Sequence, residues 1–285
     1  MAELELVDVG VAERVATITV DAPPINVITI TLLGELHTCF AAVAADDDVT
    51  VVLLRSAHPD FFLAHFDVGA ILAAPTAGEA VRREELGSFS RLCELARTMP
   101  KATICEIDGR VGGGGAELAA SCDMRFGSSE AFTLNQMEVP LGILPGGTGT
   151  QRLPRLVGSG RALEIVLGGI DVDAATAERW GWLNRALPRA ELRDHVDQLA
   201  RRIASFPPGA VARAKRSVRN AELLPLQEAL LEESHLFAQT LRDPAAQRRM
   251  RAFLEAGGQT RDVELRVAEV VAGLDQQGDL PRSTG

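Results

Sequence analysis

The sequence predicts an α/β fold with a largely parallel sheet. Segments of strand length alternate with segments of helical periodicity as far as residue 189, and only helical periodicity follows. Two strand-like segments, residues 49–54 and 102–107, are short, mostly apolar and rich in β-branched residues, as is typical of strands buried on both faces. We therefore expect an α/β part at residues 1–190 and a helical part at residues 191–285.

The chain opens with a predicted ββα unit. Residues 4–9 and 15–20 alternate apolar and polar side chains on either side of a short connection, which is the pattern of a β-hairpin. After the Pro23-Pro24 pair, a helix is predicted up to the acidic turn at residues 46–48. Its apolar residues recur at helical spacing: Leu32, Leu36, Phe40 and Val43.

Further units of helix and strand follow. Residues 75–98 indicate a polar linker and then a helix, which ends at Met99 because the residue before Pro100 disfavours helical backbone. Between residues 109 and 170 the pattern of strand, glycine-rich turn and helix repeats. The apolar face of the helix before Met99 consists of Leu86, Phe89, Leu92 and Leu95.

The C-terminal third is predicted to be helical throughout. One helix has clear ends, because Asp243 can cap it, Pro244 suits its first position and Gly257 can terminate it. The segment at residues 260–274 is predicted to form one amphipathic helix that packs on a neighbouring element or on another subunit.

Charge and hydropathy argue against two classes of partner. The 285 residues include 29 Lys and Arg against 39 Asp and Glu, a formal charge of -10, which repels nucleic acid and anionic lipid. No apolar run approaches the ~20 residues that a bilayer span needs, and the first ten residues are acidic rather than basic. We expect a cytoplasmic protein that binds neither nucleic acid nor membranes.

The cysteine and histidine residues show no metal-binding pattern. The cysteines are far apart, without CxxC spacing and in apolar surroundings, so we interpret them as buried reduced thiols. His65 is followed two residues later by Asp67, which is compatible with catalysis but favours a loop histidine with a local hydrogen bond. The cysteines are Cys39, Cys93, Cys105 and Cys122.

Two glycine-rich segments fail as nucleotide-binding motifs. The glycines at 112–115 do not complete a GxGxxG frame, because Glu117 and Leu118 stand where the last glycine belongs. The second segment, residues 142–148, has the glycine spacing of a phosphate loop but carries Gly147 in place of the lysine.

The same two segments can instead form an acid–base site. Glycines that enter a helix leave N–H groups free to hold an oxyanion, and Glu117 follows two residues after them. Taken alone, Glu117 also suits a structural role in the first turn of that helix. Glu138 precedes an apolar run and the second glycine-rich loop, an unusual place for a solvated carboxylate. Two such carboxylates can divide acid and base work if their environments separate their pKa values.

These segments resemble the crotonase, or enoyl-CoA hydratase/isomerase, superfamily. The glycine run with Glu117 and the later Cys122-Asp123 is similar to the family's oxyanion-loop motif. Residues 136–153, with Glu138 and the Pro-Gly-Gly-Thr and Thr-Gln-Arg-Leu sequences, resemble its second catalytic segment, and residues 62–67 its Phe-x-Ala-Gly-Ala-Asp loop. The resemblance covers about residues 3–256. It implies a spiral of ββα units at residues 1–190, which holds the active site, and a C-terminal helical trimerisation region at residues 191–285.

The resemblance also implies roles for single residues. Glu117 and Glu138 correspond to the two catalytic glutamates, and the N–H groups of Phe66 and Gly114 to the oxyanion hole. The residues expected to bind the CoA part of the substrate are Ala64, Phe66, Asp67, Val68, Lys215 and Phe253. His65 and Phe66 replace residues that are commonly Gly and Ala, so the acyl pocket is expected to be altered.

The activity implied is addition of water to an α,β-unsaturated acyl-CoA, a lyase reaction of fatty acid metabolism. Glu117 is assigned to activating water and Glu138 to protonating C2, in a reaction that needs no metal or redox cofactor. An isomerase or an acyl-CoA hydrolase on the same fold, or a non-catalytic acyl-CoA-binding protein, remain alternatives. The implied assembly is a homotrimer or a dimer of trimers.

Overall fold

The computed structural model describes residues 4–274. The chain divides into two compact units, Met1–Ala200 and Arg201–Gly285. Residues 1–3 and 275–285, the outer ends of the two predicted parts, lie outside the described residues. The functional division expected at residue 190 stays a prediction.

The first unit contains ten strands and the helices between them. The strands are β1 Val7–Ala12, β2 Val15–Val20, β3 Val51–Ser56, β4 Phe61–Leu63, β5 Ala102–Ile107, β6 Arg110–Gly112, β7 Met124–Ser128, β8 Thr133–Asn135, β9 Val172–Asp173 and β10 Arg185–Leu187. The helices are α1 Ile30–Ala45, α2 Val68–Leu72, α3 Ser88–Thr98, α4 Gly113–Ser121, α5 Gly149–Val157, α6 Ser159–Gly168 and α7 Ala174–Trp180, with a 3-10 turn at Val139–Leu141. Helix α8, Arg189–Ala204, begins in this unit and continues past its last residue, Ala200.

The main sheet confirms the predicted α/β class. Its strand order is β1-β2-β3-β5-β7-β10, and every pair after the antiparallel β1–β2 hairpin is parallel. Strand β5 is buried along its whole length, as expected for a strand covered on both faces. The predicted face of α1 is buried, with Leu32, Leu36 and Phe40 at 0% exposure.

The first strand begins later than predicted. Residues 4–6 precede β1, because the amides of Glu5 and Leu6 donate to the Glu35 carboxylate (3.1 and 2.9 Å) instead of a strand partner. The tertiary contact with α1 thus replaces the sheet pairing that alternation alone indicated.

A second, smaller sheet positions the glycine-rich helix. Its order is β4-β6-β8-β9, and β6 leads directly into α4 at Gly113. Gly115 faces the β4 backbone so closely that a Cβ there would lie 2.2 Å from the carbonyl oxygen of Leu63. The start of α4 is therefore held against β4 by a contact that only glycine permits.

The four cysteines are buried, as predicted. Their exposed fractions are 3, 0, 0 and 1% for Cys39, Cys93, Cys105 and Cys122. Burial is also the main cause that raises the pKa of the Cys93 thiol to about 12, which keeps it protonated and unreactive.

The second unit is helical, with α9 Pro208–Asn220, α10 Leu226–Leu241, α11 Pro244–Glu255, α12 Arg261–Glu264 and α13 Val267–Gly273. Asp243 caps α11 as predicted, since its Oδ1 accepts from the amide of Ala245 at 2.9 Å. The single helix predicted at residues 260–274 is wrong. The chain turns at Arg266 (φ -131°, ψ 29°), which separates α12 from α13. The apolar residues of the two short helices follow the same spacing that one long helix would show, so the sequence pattern did not reveal the turn. None of the helices within the described residues is long and apolar enough to cross a membrane.

Candidate active site

Glu117 lies in the second turn of α4 and not in its first. The helix begins at Gly113, so the structural role near the helix N-terminus that its sequence position suggested is wrong. The residue is 4% exposed, and its carboxylate accepts a hydrogen bond from the amide of Gly147. Its interactions are made with a loop about thirty residues further along the chain.

Three backbone amides hold one oxygen of Glu117. Oε1 accepts from Gly147, Thr148 and Gly149 at 2.9, 2.8 and 2.7 Å, and these amides belong to the loop that enters α5 and to its first residue. Burial raises the pKa of Glu117 above its usual range, and the three donors, which favour the ionised form, oppose that rise. Oε2 accepts no hydrogen bond within residues 4–274.

Helix α3 holds the loop that binds Glu117. The Ser90 hydroxyl donates to the carbonyl of Gly147 at 2.9 Å. Glu94 forms ion pairs with Arg97 on its own helix and with Arg152 on α5. The arginines lower the pKa of Glu94 against the effect of burial, so its charge is retained. These polar contacts tie α3 to the start of α5.

Glu138 lies at the start of the 3-10 turn Val139–Leu141 and is 9% exposed. Burial is the main cause that raises its pKa to about 7; the negative charge of Glu117 acts in the same direction, and a backbone N–H opposes both. With its amide nitrogen facing the carboxylate, the buried Gln136 donates to Oε2 and Oε1 at 2.9 and 3.2 Å. The two glutamates are therefore electrostatically coupled, and each has its own hydrogen-bond partners.

The amides of Phe66 and Gly114 are both free to donate. Ile28 forms a parallel bridge to Phe66, in which it donates to the carbonyl of His65 and accepts from the amide of Asp67. The Phe66 amide therefore points away from Ile28, and the Gly114 amide belongs to the first turn of α4, which has no acceptor within the helix. Neither amide donates to another group in the described part of the chain.

The glycines of α4 bring these groups together. A Cβ on Gly113 would lie 3.0 Å from Glu138 Oε1, and a Cβ on Gly114 would lie 3.2 Å from the Phe66 amide nitrogen. Gly113 also has a φ of +42°, which favours glycine. At the start of α4, Gly113 thus faces Glu138 and Gly114 faces Phe66. Glu117 lies in the next turn of the same helix.

The loop after β4 contains the other candidates of the first unit. Asp67 caps α2, accepting from the amides of Gly69 and Ala70 at 2.7 and 3.3 Å, and Val68 is the first residue of that helix. Ala64 is buried, with its carbonyl close to Gly112. His65 makes the local hydrogen bond that the sequence favoured, but Nδ1 contacts the carbonyl of Phe66 (2.9 Å) and not Asp67.

Lys215 and Phe253 lie in the second unit, on α9 and α11. Phe253 packs over Gly258 and lines an apolar cavity of about 730 Å³, and Lys215 is half-buried. Their roles toward CoA stay predictions.

Sequence reasoning missed three side chains that shape the site: Phe89, Ser90 and Gln136. Phe89 was assigned only to the apolar face of its helix, and Gln136 only to a motif. The pattern of residues in α3 contains no signal for these contacts, because they are made across elements.

The chain matches the family described as enoyl-CoA hydratase/isomerase over residues 10–260. It is 33% identical over 245 residues to a short-chain-enoyl-CoA hydratase of Clostridium acetobutylicum, covering 85% of this chain and 92% of that protein. Crystal structures of enoyl-CoA hydratases from Geobacillus kaustophilus (28% identity, TM-score 0.83) and Bacillus anthracis (26%, 0.81) share the fold. They cover 90 and 88% of this chain, and 96 and 97% of their own chains are matched.

This fold with a glycine-rich helix start defines the crotonase class of α/β proteins. The chain belongs to the enoyl-CoA hydratase/isomerase family of the crotonase superfamily, which confirms the resemblance seen in its motifs.

Proposed function

We propose that this protein is an enoyl-CoA hydratase, which adds water across the C2–C3 double bond of an α,β-unsaturated acyl-CoA. The observation that carries the proposal is that two buried carboxylates and two unpaired backbone amides lie around the start of α4. The names of the relatives support the same activity.

The amides of Phe66 and Gly114 are proposed to bind the thioester carbonyl oxygen. When water adds at C3, negative charge builds on that oxygen as an enolate forms. A preorganised donor aimed at such an oxygen typically contributes about 2.7–4 kcal/mol to transition-state stabilisation. Because both donors are backbone groups, the larger side chain at Phe66 leaves them intact.

Glu117 is proposed to bind and activate the water. Its Oε1 is occupied by three amides, which keep the carboxylate in place and favour its ionised form. Oε2 is then the oxygen that accepts a proton from water as the water oxygen bonds to C3.

Glu138 is proposed to deliver the proton to C2. A pKa of about 7 means that the carboxylic acid is well populated at neutral pH, as a general acid requires. The hydroxyl group from water ends on C3 and the proton from Glu138 on C2. No electrons are exchanged with a cofactor in this reaction, so we expect neither a metal nor a redox group to be needed.

We further propose that main-chain groups of Ala64, Phe66, Asp67 and Val68 bind CoA. The resemblance implies CoA-binding roles for Lys215 on α9 and Phe253 on α11 as well. This assignment rests on the family resemblance. We also propose a cytoplasmic location and no binding of nucleic acid. Both proposals rest on the net charge of -10 and on the hydropathy of the sequence.

The test is to follow the absorbance of the conjugated thioester when the protein is mixed with crotonyl-CoA. Loss of absorbance with formation of the 3-hydroxy product supports hydration. Glu117→Gln and Glu138→Gln should each lower kcat by about 10²- to 10⁴-fold, the usual contribution of a positioned acid or base. Glu178→Gln, an exposed glutamate on α7, is the matched control and should leave the rate unchanged.

Two other results would replace the proposal. Movement of the double bond without water addition would indicate an isomerase, and release of free CoA would indicate a hydrolase. Binding of acyl-CoA with equal affinity in the wild type and in both Gln variants, without turnover, would indicate a non-catalytic binding protein.

A further inference from the structure

Phe89 lies in the first turn of α3 and fills the space between the two glycine-rich segments. A Cβ on Gly114 would lie 3.4 Å from its ring atom Cζ, and a Cβ on Gly147 would lie 2.4 Å from Cε1. The same position on Gly147 is 2.3 Å from Oε2 of Glu117. One aromatic ring therefore occupies the space next to both glycines, beside the proposed oxyanion hole and near Oε2 of Glu117.

Phe66 extends this apolar surface. Its ring packs edge-to-face on Phe89, with centroids 5.5 Å apart and an interplanar angle of 72°. Such a pair contributes about 0.5–1.5 kcal/mol beyond the burial of its area, so each ring restrains the other. Its Cβ also lies 3.1 Å from the Cβ position of Gly114. The two rings form one surface on the side of Gly114.

Phe89 is attached to a helix that is fixed at this place. Ser90 binds the carbonyl of Gly147, and Glu94 pairs with Arg152 on α5. Moving α3 to withdraw the ring would break these contacts, and with them the support of the loop that holds Glu117. The ring of Phe89 is therefore held in place by the contacts of its helix.

We propose that Phe89 is a specificity-determining residue that restricts the acyl group to short, unbranched 2-enoyl chains. The inference rests on the proposed hydratase activity. With the carbonyl oxygen at the amides of Phe66 and Gly114 and C3 near Glu117 Oε2, the carbons beyond C3 have to pass this ring. In this arrangement a longer or branched chain would need the space that the ring occupies, whereas a four-carbon chain ends before it.

The experiment compares trans-2-enoyl-CoA substrates of four and eight carbons in the wild type and in Phe89→Ala. We expect the ratio of kcat/KM for eight over four carbons to rise at least about 10-fold in the variant, in the range that a hydrophobic pocket can discriminate. Leu86→Ala, an exposed residue just before α3, is the matched control and should leave the ratio unchanged. An unchanged ratio in Phe89→Ala would overturn the proposal.

Two further measurements keep the outcome clear. Phe89→Leu retains apolar volume and should give an intermediate ratio, which carries the test if Phe89→Ala does not fold. Calorimetric affinities for saturated butyryl- and octanoyl-CoA report the steric wall without turnover. If Phe89→Ala gains affinity for octanoyl-CoA but the wild type hydrates no enoyl-CoA, Phe89 limits chain length and the proposed hydratase function is wrong. If the wild type hydrates crotonyl-CoA, but Phe89→Ala changes neither the kcat/KM ratio nor the affinity for octanoyl-CoA, the proposed role of Phe89 is wrong and the hydratase function is retained.

Discussion

At the scale of single residues, the two glutamates differ in what surrounds their carboxylates. Glu117 receives three backbone N–H groups on one oxygen, whereas Glu138 has the side-chain amide of Gln136 and the repulsion of Glu117. Donors stabilise the ionised form, and a nearby negative charge destabilises it. These environments favour a base at Glu117 and an acid at Glu138.

The pH dependence of hydration follows from this difference. If Glu138 is the acid, as proposed, it must be protonated to act, and kcat/KM should fall as the pH rises through about 7, the value to which its pKa is raised. On the acid side the rate should fall as Glu117 becomes protonated, at a pH above the ordinary range of a glutamate because burial raises its pKa. The two limbs belong to the coupled pair.

The profile is measured on crotonyl-CoA with the wild type and with Glu138→Gln. The residual activity of the variant should lack the limb near pH 7. A limb that persists unchanged in Glu138→Gln would contradict the assignment of the acid.

At the scale of elements, the packing of α4 on β4 decides where the amide of Gly114 lies. Alanine normally stabilises a helix interior over glycine by about 1 kcal/mol. At Gly115 the added methyl would meet the Leu63 carbonyl oxygen at 2.2 Å and the Leu63 Cβ at 2.6 Å, and a backbone group cannot rotate away. The clash should outweigh the helix propensity.

We expect Gly115→Ala to lower the free energy of unfolding by about 1–3 kcal/mol, the usual cost of overpacking. Gly34→Ala in α1 is the control, because a Cβ there has no atom within 4 Å and should stabilise the protein by about 1 kcal/mol. Denaturant titration of both variants measures whether each substitution lowers or raises the free energy of unfolding. Equal stabilisation by both would show that α4 does not depend on this contact.

At the scale of the whole molecule, a buried charge network ties α8 to the main sheet. Glu106 on β5 pairs with Arg55 on β3 (2.9 Å) and with Arg193 on α8 (3.1 Å), and Asp197 on α8 also contacts Arg55. Burial raises the pKa of Glu106 and the two arginines oppose that rise. The Glu106 side chain is 4% exposed and that of Arg193 is 60% exposed.

Glu106→Ala should destabilise the fold by about 3 kcal/mol, because it leaves part of the Arg55 charge buried without compensation. Arg193→Ala removes the exposed partner of the same carboxylate and should cost at most about 1 kcal/mol. Thermal and denaturant unfolding of both variants compare the two. A larger loss for Arg193→Ala than for Glu106→Ala would contradict this account.

The assembly implied by the family resemblance, a homotrimer or a dimer of trimers, is a prediction for the whole molecule. Sedimentation equilibrium of the full chain should give three or six times the 30.4 kDa mass of the chain. A monomer at micromolar concentration would contradict it.

Much of the fold could be predicted because its signals are local. The buried strands β3 and β5, the face of α1 and the cap of α11 all follow from side-chain period or from residues next to each other in the chain. Where a distant contact competes, local reasoning failed: Glu35 shortens β1, and a turn at Arg266 divides the last predicted helix.

The sequence by itself determined the candidates, the glycine run, Glu117 and Glu138, because helix-start amides and paired carboxylates suit oxyanion and acid–base chemistry and because these segments match the motifs of a family. Only the tertiary structure decided what surrounds them. The amides of Gly147, Thr148 and Gly149, the raised pKa of Glu138 and the ring of Phe89 against two glycines all depend on segments far apart in the chain. Burial and electrostatic coupling are set by neighbours in space, and residue spacing carries no record of them.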